Sequence, residues 1–388
     1  MPALGRLWAV LAVIALSAAG CGSIPDYPAN LSFPSRSDRL VLKSPESVPP
    51  GLNTAGKLDD ELARLDSLGG KTAEPGSLPL ETRTAIDRFL RETFGTPSAP
   101  TITGDADTTA TAERLGLTTE SLNQGGKLYL RHCLQCHNLS GDGRGPAGLW
   151  VVPFPRDFRR GEFKFTTTGS GKPRRADLMR TLTQGLIKGT AMPAFGLLPD
   201  GERDLLARYA SYLAIRGQVE TRTLTATVGA SSPGDATSQA RTQLGVALAE
   251  WEQAEKAPAI VPVAPDDGEP QSATHGEAVR RGFTLFTAKA DNSCITCHAE
   301  FGRKPLLRFD VWGLVAQPAD FTALTLKGST RPEDVFARIR GGIPAVGMPA
   351  HPEFTDRQVW DLVRFVRAVP FSVQLPESPL NVRAAVYP

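Results

Sequence analysis

Two short motifs in this chain of 388 residues combine side chains that can attach a porphyrin and ligate its iron. Each is a Cys-x-x-Cys-His sequence, in which two thiols are followed at once by an imidazole. The residues are Cys133, Cys136 and His137 in the first motif, and Cys294, Cys297 and His298 in the second. Thiols at this spacing can add to the two vinyl groups of one porphyrin, and the adjacent histidine then lies beneath the ring. The motifs therefore predict two covalently attached c-type haems, with His137 and His298 as iron ligands.

Two other kinds of site use the same residue types. Cysteine and histidine are also zinc ligands, and a Cys-x-x-Cys pair is the reactive element of thioredoxin-like proteins. No strand–helix–strand pattern surrounds either motif, which argues against the thioredoxin-like alternative. The five-residue motif occurs twice, and each copy is followed further along the chain by a Met-Pro pair. This repetition favours haem over zinc.

The sixth coordination position of each iron requires a second ligand from the same part of the chain. The sequence has four methionines, and two of them, Met192 and Met348, precede a proline in loops rich in Gly and Pro. Such loops let the backbone approach a planar cofactor closely. We predict that Met192 and Met348 ligate the iron, although methionine also serves as a gap filler in cores. Met179 fits a core position, and His351 is the competing ligand in the second copy.

The elements that must position these ligands occur twice along the chain. A glycine and an aromatic residue precede each motif, Gly125 and Tyr129 before the first and Gly282 and Phe286 before the second. Each motif is followed by a Pro-x-Asp-Phe sequence, a helix-like segment, the Met-Pro loop and a second helix-like segment. The helix-like segments are residues 177–185 and 334–342, followed by 202–215 and 356–369. This internal similarity predicts two copies of one small helical module.

Composition divides the chain into six segments. They are a signal peptide at 1–21, a Pro/Ser/Gly-rich tether with one short helix at 22–120, the first module at 121–217, a linker with a possible helix at 218–274, the second module at 275–371 and a C-terminal tail at 372–388. The predicted fold class is all-α, with two small domains joined by a long linker and a largely irregular N-terminal region. The length of the linker predicts domains that move relative to each other.

The N-terminus predicts export. Residues 7–19 form an apolar run that is shorter than the roughly 20 residues of a membrane span, and its length suits a secretory signal. The run ends at Cys21 in a sequence similar to the bacterial lipobox, with Ala18 where leucine is usual. We predict that Cys21 is lipidated and anchors the protein to a membrane on the periplasmic side of the bacterial envelope. The alternative is ordinary cleavage that leaves Cys21 as a free thiol.

Charge limits the choice of partners. The formal net charge is +2, which is not the strong basic excess of a nucleic-acid-binding protein. Basic residues are concentrated in the segment 150–180, which includes Arg156. This basic segment is either a solvated loop whose arginines offset haem propionates, with Arg156 the best candidate, or a landing surface for an acidic redox partner.

These features resemble those of tandem class I cytochromes c. The resemblance covers residues 121–217 and 275–370 and depends on the two Cys-x-x-Cys-His motifs and the two Met-Pro loops. It implies two small all-α cytochrome c domains, in each of which an N-terminal helix crosses a C-terminal helix beside the haem. Gly125 and Tyr129 should then meet the helix that bears Tyr209, and Gly282 and Phe286 the helix that bears Phe365. Histidine–methionine ligation raises the reduction potential of the iron.

The resulting functional hypothesis is a dihaem c-type cytochrome that transfers electrons in the bacterial cell envelope and is not itself an enzyme. It would act as a shuttle or as the electron-transfer subunit of a membrane respiratory complex, with redox proteins as donor and acceptor. The alternative is a dihaem peroxidase-type enzyme with one open haem site, which the two Met-Pro loops argue against. A haem-based sensor or a structural lipoprotein is the third hypothesis, although the sequence contains no output domain.

Overall fold

The computed structural model describes residues 24–31, 60, 63, 75–151, 153–186, 190–227, 232–270, 272–288, 293–311, 315–324, 326–376 and 382–387. The predicted signal peptide and Cys21 lie outside these described residues. Helices dominate the described ranges, and the strands form two short antiparallel pairs, so the predicted all-α class is confirmed. Within the same ranges, no helix combines the length and the apolar character that crossing a membrane requires.

The helices are numbered in chain order over the described residues. They are α1 (Leu80–Phe94), α2 (Ala106–Arg114), α3 (Thr119–His132), α4 (Leu134–His137), α5 (Arg175–Gln184), α6 (Asp200–Ala226), α7 (Pro233–Lys256), α8 (Ala273–Thr287), α9 (Cys294–Cys297), α10 (Pro332–Gly341), α11 (Asp356–Ala368) and α12 (Val382–Val386). Strand β1 (Gly95–Thr96) pairs with β2 (Ala99–Pro100), and β3 (Arg308–Phe309) pairs with β4 (Val315–Ala316). Short 3-10 turns occur at Ala29–Leu31, Pro75–Ser77, Gly148–Trp150, Ala299–Gly302, Pro344–Val346 and Ser372–Gln374.

In the first module, α3 crosses α6 at a glycine. A Cβ at Gly125 would lie 2.5 Å from the carbonyl oxygen of Leu205, so only glycine allows this approach. One turn later, the ring of Tyr129 packs against that of Tyr209, with 5.1 Å between centroids. The first crossing has the form that the resemblance implies.

The second module repeats this crossing with α8 and α11. A Cβ at Gly282 would lie 2.1 Å from the carbonyl oxygen of Asp361. Phe286 packs against Phe365, with ring centroids 5.3 Å apart. Each crossing therefore joins a helix that precedes a haem motif to the helix that follows the Met-Pro loop.

Local sequence signals define where these helices begin. The hydroxyl of Thr118 accepts a hydrogen bond from the backbone N–H of Ser121 at the start of α3. The hydroxyl of Ser272 accepts one from the N–H of His275 at the start of α8. Thr355 and Gln358 form a reciprocal capping box at the start of α11. Such caps satisfy backbone N–H groups that have no partner within the helix.

The close approach at Gly282 makes a stability prediction. We expect Gly282→Ala to lower the free energy of unfolding of the second module by about 3 kcal/mol, because the added methyl group forces α8 and α11 apart. Gly276→Ala on the same helix is the matched control, since no atom lies within 4 Å of the added Cβ. This control should be stabilising by about 0.5–1 kcal/mol, the helix preference for alanine over glycine. Denaturant unfolding of the haem-loaded variants measures both, and equal effects would contradict the packing argument.

Three further helices surround the first module. Helices α1 and α7 pack against the long helix α6, which continues to Ala226, and α2 packs against α7. The hydroxyl of Tyr212 donates a hydrogen bond to the carbonyl of Phe94 over 2.6 Å, and Trp251 donates to Gln218 over 2.6 Å. The sequence predicts one short helix before residue 120, whereas the structure has both α1 and α2 there. The possible linker helix is present as α7, packed rather than free.

The segment 24–31 is also attached to this layer. Tyr27 is buried, and the guanidinium of Arg216 lies 3.9 Å from the centre of its ring. Arg91 forms a 2.6 Å ion pair with Asp26, and its guanidinium donates to the carbonyl of Tyr27. Although composition predicts a tether from residue 22 onward, these eight residues are part of the packed first module.

The two modules are in direct contact with each other. Arg180 lies 3.3 Å from Asp334, and the guanidinium of Arg338 lies 4.8 Å from the centre of the Phe165 ring. The N–H of Ile260 donates to the carbonyl of Thr167 over 3.1 Å, which attaches the linker to the first module. The long linker suggests independent domains, but these complementary surfaces hold the modules together.

Two candidate haem sites

Each Cys-x-x-Cys-His motif forms a single helical turn. In α4, the N–H of His137 donates to the carbonyl of Cys133 over 2.8 Å, and in α9 the N–H of His298 donates to the carbonyl of Cys294 over 2.9 Å. A helical turn brings residues three positions apart to one face. The turn therefore places the two thiols of each motif on the same side. The four thiols are half-buried and form no disulfide.

Burial makes the first thiol of each motif harder to ionise. It raises the pKa of Cys133 to about 12 and that of Cys294 to about 11. A thiol with a raised pKa is a poor nucleophile in disulfide exchange, because the attacking species is the thiolate. Within the described ranges, no group of three or more His, Cys, Asp or Glu side chains is arranged to hold a metal ion. The zinc and thioredoxin-like alternatives therefore lack support.

The ring of each motif histidine is held in the same way. Nδ1 of His137 lies 3.0 Å from the carbonyl oxygen of Arg156, and Nδ1 of His298 lies 3.1 Å from that of Ala319. A histidine that donates from Nδ1 leaves the Nε2 lone pair for a metal, and the carbonyl fixes the ring orientation. Burial also lowers the pKa of His298, which favours the neutral ligating form.

The repeated Pro-x-Asp-Phe sequence supports the same two histidines. Phe158 stacks on His137 with 4.6 Å between ring centroids, and Phe321 stacks on His298 with 4.5 Å. The carbonyls that bond the histidines belong to Arg156 and Ala319, two residues before each phenylalanine. The repeat is visible in the sequence, but the sequence alone gives it no role. The structure identifies it as the support of both histidines.

Met192 and Met348 accept matching backbone hydrogen bonds. The N–H of Leu186 donates to the carbonyl of Met192, and the N–H of Ile343 donates to the carbonyl of Met348. Each loop begins at a glycine with positive φ, 65° at Gly185 and 67° at Gly342, a conformation that disfavours other residues. The structure thus places both predicted methionines at equivalent positions.

One cavity of about 660 Å³ brings all eight predicted site residues together. Cys133, Cys136, His137 and Met192 line its first part, and Cys294, Cys297, His298 and Met348 line its second. Apolar side chains complete the walls of both parts, namely Leu178, Leu182 and Leu206 in the first and Ile339, Leu362 and Val366 in the second. Two thiols, one imidazole and one thioether in each apolar part fit a covalently attached haem with histidine–methionine ligation.

The other two candidate side chains lie where the sequence suggests. Met179 packs against the first hydrophobic core and is not among the residues that line the cavity. His351 lines the second part of the cavity and is buried, with Nδ1 at 2.8 Å from a carboxylate oxygen of Glu353. Phe354 stacks on its imidazole with 5.2 Å between centroids.

The basic segment 150–180 is largely paired with carboxylates. The pairs are Arg159–Asp157, Lys164–Asp310, Lys172–Glu250, Arg175–Asp204 and Arg180–Asp177. This pairing favours a structural role over a landing surface for an acidic partner. Arg156, the predicted propionate partner, lines the cavity and lies 4.0 Å from Asp310. Sequence reasoning misses Asp310, because no local pattern distinguishes a buried aspartate from an exposed one.

Comparison with known proteins yields two matches to one family. The profile described as cytochrome C oxidase, cbb3-type, subunit III matches residues 120–209 and 277–366. Each matched range begins before a Cys-x-x-Cys-His motif and ends after the corresponding Met-Pro loop. A search of curated proteins returns no match. Among solved structures, a chain of the Kuenenia stuttgartiensis reducing HAO-like protein complex is 24% identical, covers 63% of this chain and 95% of its own, and has a TM-score of 0.44.

Proposed function

Because this chain carries two class I c-type cytochrome domains in tandem and binds two haem c groups, we propose that it transfers electrons between redox proteins of the bacterial cell envelope. The observation that carries the proposal is the pairing of one histidine with one methionine in each part of the cavity. When both axial positions of the iron are filled, haem c supplies one-electron exchange without an open site for a substrate.

The side chains of each module would have distinct tasks. Cys133, Cys136, Cys294 and Cys297 would attach the porphyrins. The carbonyls that bond His137 and His298 hold those rings in one orientation. The apolar walls exclude water, and exclusion of water adjusts the reduction potential of a buried metal centre. Met192 and Met348 would complete the coordination.

An optical redox titration of the purified, haem-loaded protein tests this function. We expect two low-spin haems whose spectra do not change when carbon monoxide is added to the reduced protein or peroxide to the oxidised protein. A haem that binds carbon monoxide or turns over peroxide would contradict the carrier hypothesis, since it would have an open or displaceable ligand.

A peroxidase-type enzyme is the second candidate, and one observation favours it. His351 is buried and lines the second part of the cavity, and its Nδ1 lies 2.8 Å from a carboxylate oxygen of the exposed Glu353. Such a pair could move protons beside an iron from which Met348 had dissociated. The peroxide arm of the titration distinguishes this candidate from the carrier.

We further propose that Cys21 is lipidated and holds the protein at a membrane on the periplasmic side. The family match is to an oxidase subunit, which favours the role of a complex subunit over that of a free shuttle. In native cells, we expect Cys21→Ser to move the protein from the membrane fraction to the soluble fraction. Size-exclusion chromatography of the detergent extract separates the two roles, because a subunit elutes with partners and a shuttle elutes alone. Retention of Cys21→Ser in washed membranes without partners would overturn the anchor.

A further inference from the structure

A charged cluster lies where the two parts of the cavity meet. We define the junction cluster as Arg156 and Lys164 of the first module together with Asp310 of the second. All three residues line the cavity. The ammonium of Lys164 donates to a carboxylate oxygen of Asp310 over 3.1 Å, and the guanidinium of Arg156 lies 4.0 Å from the same oxygen. The carboxylate side chain is only 1% exposed.

The junction cluster is linked to the ligands of both modules. The carbonyl of Arg156 lies 3.0 Å from Nδ1 of His137, so this arginine supports the ligand histidine of the first module. Asp310 precedes Val311, whose N–H donates to the carbonyl of Ala345 over 2.9 Å. Ala345 belongs to the turn Pro344–Val346 that leads into Met348. One cluster therefore borders the histidine side of one site and the methionine loop of the other.

Charges in this position act strongly on a buried metal centre. The effective dielectric constant of a buried site is far below that of water, so a charge at a given distance has a larger effect there. A negative charge stabilises the oxidised, more positive iron, and a positive charge stabilises the reduced iron. Three further basic side chains line the cavity, Arg308, Lys327 and Arg338, and so does one further carboxylate, that of Asp320. Asp310 is thus a buried anion among cations contributed by both modules.

We propose that the junction cluster sets the reduction potentials of both haems together, with Asp310 lowering them and Lys164 raising them. The proposal depends on the presence of two haems and not on the direction of electron flow or on the identity of the partners. It would survive failure of the carrier hypothesis, because a potential is a property of the iron whether the haem carries electrons or reacts with peroxide.

Optical redox titration of haem-loaded single variants tests the proposal. Asp310→Asn removes the negative charge without a change of size, so we expect both midpoint potentials to rise. Lys164→Met removes the positive charge, so both should fall. The expected effect is about tenfold in each oxidation–reduction equilibrium, or about 59 mV for one electron. The measurement is made at pH 6, because burial lowers the pKa of Lys164 to about 8 and the ammonium must stay protonated wherever Lys164 is present.

Two control variants separate charge from structure. Lys172→Met removes another largely buried lysine, which lies 3.4 Å from Glu250 and outside the residues that line the cavity, so neither potential should move. Lys164→Arg keeps the charge and should keep both potentials within about threefold in the equilibrium. If Asp310→Asn does not fold, as judged by haem content, the comparison of Lys164→Met with Lys164→Arg still tests the proposal. Shifts no larger than those of Lys172→Met, or a shift confined to one haem, would overturn the proposal.

Discussion

A variant in which Cys294 and Cys297 are both alanine will bind one haem instead of two and will lose the fold of its second module. Without the thioethers, the apolar walls around the second part of the cavity have no cofactor to pack against. Residues such as Ile339 and Leu362 belong both to those walls and to the hydrophobic core of the module. A module of this size buries too little apolar surface to compensate for the loss.

The corresponding variant of the first motif, with alanine at Cys133 and Cys136, should also bind one haem but keep most of its helices. Helices α1 and α7 pack with α6, α2 packs with α7, and together they give the first module a core of which much lies away from the cavity. Phe94, Leu244 and Trp251 are part of this core and do not line the cavity. We therefore expect the two haem losses to have unequal structural consequences.

Haem per protein is measured from the absorbance of the pyridine complex, and retained structure from circular dichroism and limited proteolysis. Protease should cleave within α8–α11 in the second-motif variant and should leave α6 and α7 protected in the first-motif variant. Retention of two covalent haems in either variant would refute the assignment of the thiols. Equal loss of helix in both would refute the role of the additional helices.

Met348→Ala will lower the potential of one haem and open that iron to carbon monoxide, while the other haem remains unchanged. Loss of a thioether ligand removes the preference for the reduced iron, so the potential should fall on the order of 0.2 V, within the range of about 0.8 V that axial ligands span. Met192→Ala should have the same effect on the first haem. The two variants together assign each potential to its module.

Met179→Leu is the matched control, because Met179 packs in the first core rather than along the cavity. Its potentials and its carbon monoxide difference spectrum should equal those of the unmodified protein. If Met348→Ala stays closed to carbon monoxide, His351 is the ligand that replaces the thioether, and adding His351→Gln should then open the iron. Met348 would be refuted as the ligand if, with and without His351→Gln, Met348→Ala left both haems unable to bind carbon monoxide and both potentials unchanged.

Short-range chemistry is what the sequence alone determined about this protein. The two cofactors follow from thiols and an imidazole within five residues, because covalent attachment depends on local spacing. The two helical modules follow from the repeat and from apolar periodicity, which records the buried face of each helix. Met192 and Met348 are predicted as axial ligands because few candidates exist and both precede proline.

Contacts between distant parts of the chain were decided only by the tertiary structure. The sequence predicts a tether with one short helix and a linker between separate domains, whereas Tyr27 and α7 pack against α6. Lys164 and Asp310 are separated by 146 positions, yet they share a hydrogen bond between the two haem sites. Such pairs form because extended surfaces pack against each other, and the polar groups buried between them must form hydrogen bonds with one another. No local pattern of residues encodes that fit, because it depends on many side chains at once.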